Sequence, residues 1–216
     1  MKVSVVVIGK NNEDIDELKE YLKHQTFKDF EIVSSTKKGI PQAWNDAIRK
    51  AKGDIIITTE TDARPVNNHW IDDLVKAIEQ YDDKTIIRGL EVNPTHWRNA
   101  NIVARASLFK ENPFDEHYSI AEDTEFYARL RSKDYLGLEL PIAPVIHERK
   151  ASAWKLIKNS FLYGIYQVRI QKKYGQNGFK TTFKGNPSIL TVIGRELSII
   201  ISRIAFLTGA LIGVVS

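Results

Sequence analysis

Glu60 and Asp62 are the residues of this chain with the clearest chemical use. They close the run Asp54-Ile55-Ile56-Ile57-Thr58-Thr59-Glu60-Thr61-Asp62-Ala63-Arg64-Pro65, in which Ile55 to Ile57 read as a buried strand that Pro65 stops. Two positions apart on a chain that is still extended, their carboxylates point to one side. Two hard oxygen ligands converging at a strand's C-terminal end make a seat for Mg²⁺ or Mn²⁺ carrying a diphosphate. The plainer alternative is a pair of solvated loop acids, and the surrounding elements have to decide between them.

Those elements alternate. Val3 to Ile8 reads as a strand, and Asn11 or Asn12 caps a helix whose apolar face is Ile15, Leu18 and Leu22. Phe30 to Val33 is a second strand. Gly39-Ile40-Pro41 opens a helix carrying Trp44, Ala47, Ile48 and Ala51, stopped by Gly53. After the strand Ile55 to Thr59, Asn67 or Asn68 caps a helix with Trp70, Ile71, Leu74, Val75 and Ile78 as its stripe, and Thr85 to Arg88 reads as a fourth strand. This alternation predicts an α/β fold, a mostly parallel sheet with helices on both faces. Ligands of such sheets sit beyond the strands' carboxyl ends. The clusters Gly9-Lys10-Asn11-Asn12-Glu13, Ser34-Ser35-Thr36-Lys37-Lys38 and Glu60-Thr61-Asp62 all fall there.

Composition narrows the chemistry. With no cysteine in the sequence, disulfides, thiolate metal sites and cysteine nucleophiles are excluded. Met1-Lys2 leads straight into a strand too short for a signal peptide, with no small-residue cleavage site behind it, so a cytoplasmic N-terminal part is expected. The net charge of +4 hides an asymmetry: residues 149–216 hold eleven Lys/Arg and one Glu, whereas residues 1–148 hold twenty basic and twenty-six acidic groups. A change of sign this sharp predicts a border near residue 149, with a catalytic domain over 1–148 and a basic tail over 149–216. The first strand is followed by neither G-x-G-x-x-G nor G-x-x-x-x-G-K-[ST], so a phosphate ligand cannot rely on a glycine cradle. A metal on Glu60 and Asp62 would replace that cradle, which favours a nucleotide diphosphate over a dinucleotide.

Taken in order, these residues resemble glycosyltransferase family 2. Ile8-Gly9-Lys10-Asn11-Asn12-Glu13 is a loose version of the family's P-x-Y-N-E opening. Gly39, Ala43, Asn45, Ala47, Gly53 and Asp54 follow its G-x-x-x-A-x-N-x-A helix and Gly-Asp strand entry, and Glu60-Thr61-Asp62 falls on its D-x-D position. Asn101 to Arg105 resembles its acceptor-side asparagine and strand. Ala121-Glu122-Asp123-Thr124-Glu125-Phe126 matches G-E-D-x-E-[FL], and His147 follows an apolar strand over Ile142 to Ile146. The resemblance spans roughly residues 1–175. The acidic pair that often follows the second strand is here Ser34-Ser35, which leaves the donor base open.

The resemblance implies a GT-A fold and inverting sugar transfer from a nucleotide-sugar donor. On the donor side it implies Gly9, Asn11, Glu13, Ser34, Glu60 and Asp62. Glu60, Asp62 and His147 are the implied metal ligands for Mn²⁺ or Mg²⁺, and Trp97, Arg98, Asn101 and Glu122 the implied acceptor contacts. Asp123 is the implied general base. Its plainer reading is a first-turn acid that, with Glu122 and Glu125, offsets the helix macrodipole.

Residues 150–174 read as a helix with Trp154, Ile157, Phe161, Ile165 and Val168 on one face and Lys155, Lys158, Arg169 and Lys172 on the other; Tyr163, Tyr166, Tyr174, Phe179 and Phe183 add aromatics. Such a helix suits an anionic membrane surface, or packs on the catalytic domain with its basic face in solvent. Leu197 to Ser216 is apolar but broken by Arg203, and its uninterrupted run, Ile204 to Val215, is short for a span. These features predict a C-terminal membrane-associating extension, the cytoplasmic membrane face and a lipid-linked or glycan acceptor. Two alternatives stand beside this reading: a sugar nucleotidyltransferase, and a nucleic-acid-binding module built on the basic tail. The apolar final stretch speaks against a nucleic-acid partner, and the oligomeric state is left open.

Overall fold

A computed structural model describes residues 2–92, 99–147 and 153–175. Its central sheet has six strands: β1 (Val3–Ile8), β2 (Phe30–Ser35), β3 (Ile55–Glu60), β5 (Thr85–Arg88), β6 (Ile102–Arg105) and β7 (Leu136–Glu139), in the order β2-β1-β3-β6-β5-β7. A second, two-stranded sheet pairs β4 (Ala63–Pro65) with β8 (Val145–His147). The main sheet is parallel except for β6, which runs antiparallel to both β3 and β5.

Period-2 alternation divides the β1 side chains between two cores. Val3, Val5 and Val7 join Ile55, Ile57, Ile87 and Val103 under α1 (Asn12–Leu22) and α3 (Trp70–Ile78). Val6 and Ile8 join Ile56, Ile86 and Ile102 under α2 (Ile40–Lys50), α4 (Ala106–Glu111) and α5 (Glu122–Ser132). Burial on both faces is why these strands are β-branched runs rather than alternating polar and apolar. The α/β architecture expected from the alternation is present.

Several local expectations shift. β2 and β3 each run further than their apolar runs suggest, ending at Ser35 and Glu60. Thr61 and Asp62 form a turn into β4, so the chain is not extended across Glu60-Thr61-Asp62 as expected. The helix after it is capped at His69 rather than at Asn67 or Asn68; the Asn67 side chain instead accepts from the His69 backbone N–H at 3.0 Å. The strand expected over Ile142 to Ile146 is shorter and later, so His147 is its last residue.

A final helix, α6 (Ala153–Tyr174), packs on α5. Its docked face is Tyr163, Tyr166, Ile170 and Tyr174, gathered with Tyr118, Ala121 and Ala128. The expected apolar stripe ran instead through Phe161, Ile165 and Val168. At 100° per residue those three stand on the side of α6 away from the tyrosines, and Lys158, Arg169 and Lys172, expected on the face opposite the stripe, share its side instead. The side chains of Trp154 and Ile157, and all of residues 176–216 with Phe179, Phe183 and Leu197 to Ser216, lie outside the described residues. Among the described residues no helix is long and apolar enough to cross a membrane.

Candidate active site

Parallel register brings the three expected polar clusters to one edge. Ile8 lies opposite Ser35 on one side and Glu60 on the other, so the segments after β1, β2 and β3 leave the sheet together. Gly9 lets them meet. A Cβ there would stand 2.8 Å from Thr61 Cγ2 and 2.9 Å from Ile15 Cγ1, so the turn carrying Glu60 and Asp62 closes directly over the β1 loop. The Thr61 N–H donates to the Ile8 carbonyl, and the Thr59 hydroxyl donates to the Ala63 carbonyl at 3.3 Å, which fixes the turn from both ends.

The remaining expected donor residues have mixed fates. Asn11 is the N-cap of α1, its side chain accepting from the Asp14 N–H at 2.8 Å. Glu13 stands exposed in the first turn of that helix. Ser34 is half-buried at the β2 end. Ser35 is buried, and its hydroxyl donates to Asp46 at 2.9 Å. Asp46 also receives Lys50 at 2.6 Å, with Lys37 at 3.2 Å and Arg49 at 3.7 Å. The Lys50 bond first, then those of Ser35 and Lys37, hold the Asp46 carboxyl well below the usual carboxylate range against the opposing effect of burial. The α2 carboxylate is thereby tied to the end of β2.

Glu60 and Asp62 are half-buried at the β3 end. His147 approaches from another part of the chain, its backbone opposite Ala63 across the β4–β8 pair and one residue beyond Asp62; its side chain lies outside what is described. Among the described residues no cluster of three or more His, Asp or Glu side chains is arranged to hold a metal.

Glu122 and Asp123 open α5. The residue before them, Ala121, has φ of 68° and no side-chain cap, a left-handed conformation that carries the chain sharply into the helix. Both acids are buried. Oδ1 of Asp123 accepts three bonds: the Thr124 N–H at 2.7 Å, the Thr124 hydroxyl at 3.2 Å and the Tyr163 hydroxyl at 2.9 Å. Oδ2 takes no hydrogen bond among the described residues.

Asn99 ties this helix to the β3 end. Thr58, two residues before Glu60, donates through its hydroxyl to the Asn99 carbonyl, and Tyr127, one turn after Asp123, donates to Asn99 Oδ1 at 3.2 Å. The Tyr127 hydroxyl is pushed well up by burial and then by the nearby Asp123 charge. The carboxylates at the β3 end and at the α5 start are therefore braced by one shared residue. Asn99, Tyr127 and Tyr163 were not expected as site residues: an asparagine in a loop and tyrosines within helices give no sequence signal of their partners.

Asn101 requires a correction. It is fully buried with φ of 60°, accepts from the Trp70 indole N–H at 2.7 Å, and donates to the Leu90 and Ala143 carbonyls at 3.0 and 2.8 Å. Its amide is committed to packing α3 and the loop before β8, so the acceptor role implied by resemblance gives way to a structural one. Trp97 and Arg98 lie outside the described residues.

A strand edge with two carboxylates is thus braced to a helix-borne aspartate whose Oδ2 takes no hydrogen bond among the described residues. The model of "Glycosyl transferase family 2" matches residues 4–136, well over half of the sequence. The chain belongs to that family. It is accordingly a nucleotide-sugar glycosyltransferase with a GT-A fold, which decides against the nucleotidyltransferase alternative. The Pyrobaculum calidifontis mannosyltransferase PcManGT, solved with GDP-Man and Mn²⁺, is similar at a TM-score of 0.62 and 15% identity over 97% of this chain and 73% of that one. S. aureus TarS 1–349 in complex with UDP-GlcNAc is similar at 0.53 and 16% identity, over 81% of this chain and 71% of that one. A mycobacterial protein matches at 0.60 and 11% identity, over 78% of this chain and 74% of that one. At such identities the likeness is one of fold. No curated protein matches the sequence.

Proposed function

We propose that the protein is an inverting, divalent-metal-dependent glycosyltransferase in which Asp123 is the general base. The observation that carries this is the Asp123 carboxylate, anchored through Oδ1 alone at the helix braced to the β3 end. The acceptor hydroxyl oxygen attacks the anomeric carbon, the bond from that carbon to the diphosphate oxygen breaks, and the hydroxyl proton passes to Asp123 Oδ2. Holding attacking and leaving oxygens in line supplies much of the acceleration.

The donor set fits Mn²⁺ or Mg²⁺. Two carboxylates with the remaining positions left to phosphate oxygens and water is how such ions are commonly held beside nucleotides, so two protein oxygens suffice without a three-residue cluster. Glu60 and Asp62 would hold the ion, with His147 as a third ligand. When bound, it neutralises charge on the departing nucleotide diphosphate. The Mn²⁺ and GDP-Man in the PcManGT structure support this reading.

The acceptor is proposed to be a lipid-linked glycan or glycolipid at the cytoplasmic membrane face. Support comes from the side of α6 opposite its docked tyrosines. There Phe161, Ile165 and Val168 stand among exposed Lys158, Arg169 and Lys172, an apolar stripe with basic flanks suited to anionic headgroups.

The test of donor and metal is a thermal-shift series with UDP-, GDP- and dTDP-sugars, each with and without Mn²⁺. A ligand of the folded form raises apparent stability by RT ln(1 + [L]/Kd), so one base should stand out, and only with Mn²⁺. A shift indifferent to Mn²⁺, or undiminished in Asp62→Asn, contradicts the metal assignment. Sedimentation with phosphatidylglycerol but not phosphatidylcholine vesicles tests the membrane face.

A further inference from the structure

Tyr163 reaches the site from a separate element. It lies on α6, forty residues after Asp123, and donates to Asp123 Oδ1 at 2.9 Å; its oxygen also stands 3.0 Å from that of Thr124. The other docked tyrosines place α6 without touching Asp123. Tyr174 donates to the fully buried Glu125 at 2.6 Å, and Arg129 holds that carboxylate at 2.9 and 3.2 Å. Tyr166 packs on the Tyr118 ring at 5.2 Å and meets the Ser119 hydroxyl at 3.4 Å. The docked face of α6 thus combines anchors with one hydroxyl directed at the proposed base.

We propose that Tyr163 is a positioning residue for sugar transfer: its hydroxyl pins Asp123 Oδ1, so that Oδ2 is held toward the acceptor. The inference rests on Asp123 being the base. Three donors on one oxygen fix the carboxylate plane, and two of them come from the adjacent Thr124. The third fixes rotation from across a helix interface, and it is present only while α6 is docked. Burial, followed by the Asp123 charge, pushes the Tyr163 hydroxyl well up, so it keeps its proton and remains a donor. The Asp123 charge acts on Tyr127 of its own helix and on Tyr163 of α6.

The test compares the wild type, Tyr163→Phe and Tyr166→Phe by steady-state kinetics, with folding of each checked by thermal melting. Tyr166→Phe alters the same docked face of α6 away from Asp123 and should turn over like the wild type. A Tyr163→Phe variant with the kcat of the wild type overturns the proposal. Release of nucleoside diphosphate from GDP-mannose or UDP-N-acetylglucosamine with Mn²⁺ separates the two layers. Tyr163→Phe is expected to lower kcat roughly tenfold with KM unchanged. Asp123→Asn turning over like the wild type would remove the base assignment itself. An inactive Asp123→Asn beside a fully active Tyr163→Phe would remove only the role of Tyr163.

Discussion

Ala63 on β4 lies directly across from His147 on β8. That pairing brings a segment more than eighty residues later in the chain to the neighbour of Asp62, which is what makes His147 a candidate ligand rather than a distant histidine. If it completes the metal site, His147→Ala weakens Mn²⁺ binding in the presence of the cognate nucleoside diphosphate by roughly tenfold or more. Titration calorimetry of Mn²⁺ into the wild type and the variant checks this; equal affinities would restrict the site to the two carboxylates.

Gly9→Ala tests whether the β1 loop and the Glu60–Asp62 turn are one unit. The added methyl meets Thr61 and Ile15 closer than 3.0 Å, with no long flexible side chain to yield. Overpacking of this kind destabilises by ~1–3 kcal/mol, and the turn is the part most able to move. The expected outcome is a lower melting temperature together with a smaller Mn²⁺-dependent donor shift. A variant that lost stability but kept the full shift would show that the turn does not govern the metal.

Asp46 gives a pH dependence. A carboxyl depressed in the folded state contributes stability that is fully present above its unfolded value, near pH ~4, and is lost as pH falls through the folded value. Asp46→Asn should therefore be less stable than the wild type at neutral pH by ~1 kcal/mol, and the gap should narrow on acidification. Urea denaturation at neutral pH and at about pH 3 reads both arms. The anchored loop after β2 is also where the donor base is expected, so the same variant should change the preference between UDP and GDP.

Ala121→Gly should stabilise, against the usual trend for that substitution. A left-handed alanine costs ~1–2 kcal/mol, and glycine returns ~0.4–1 kcal/mol of that through its freer unfolded chain. The expected net gain is roughly 0.5–1 kcal/mol by chemical denaturation. A loss instead would mean that the alanine methyl, buried against α6, contributes more by packing than its backbone strain removes.

The parts of this molecule that were legible in the sequence are those carried by periodicity. Val3 to Ile8 and Ile55 to Ile57 read as buried strands because β-branched runs buried on both faces leave no other solution, and the α2 and α3 stripes follow helical spacing. What escaped was set by pairing between distant segments. β4 and β8 are three residues each, too short for any pattern, and β8 lies later than its apolar run suggested. The Thr61–Asp62 turn contains neither glycine nor proline, so nothing marked the end of the extended chain. Asn101 read as an acceptor contact because it matches the family's acceptor-side asparagine, yet a left-handed backbone and three internal bonds use it up. The docked face of α6 was missed because tyrosines that bury a ring and bond a carboxylate do not count as an apolar stripe; the apolar stripe proper is on the other side.

If Asp123 removes the acceptor proton across from a diphosphate held at Glu60 and Asp62, Asp123→Asn should bind donor and fail to transfer. Nucleoside diphosphate release from the cognate donor, with donor affinity measured on the same preparation, reads both. The rate should fall by roughly 100-fold or more at unchanged donor affinity. Turnover near that of the wild type would leave Asp123 without the role of base.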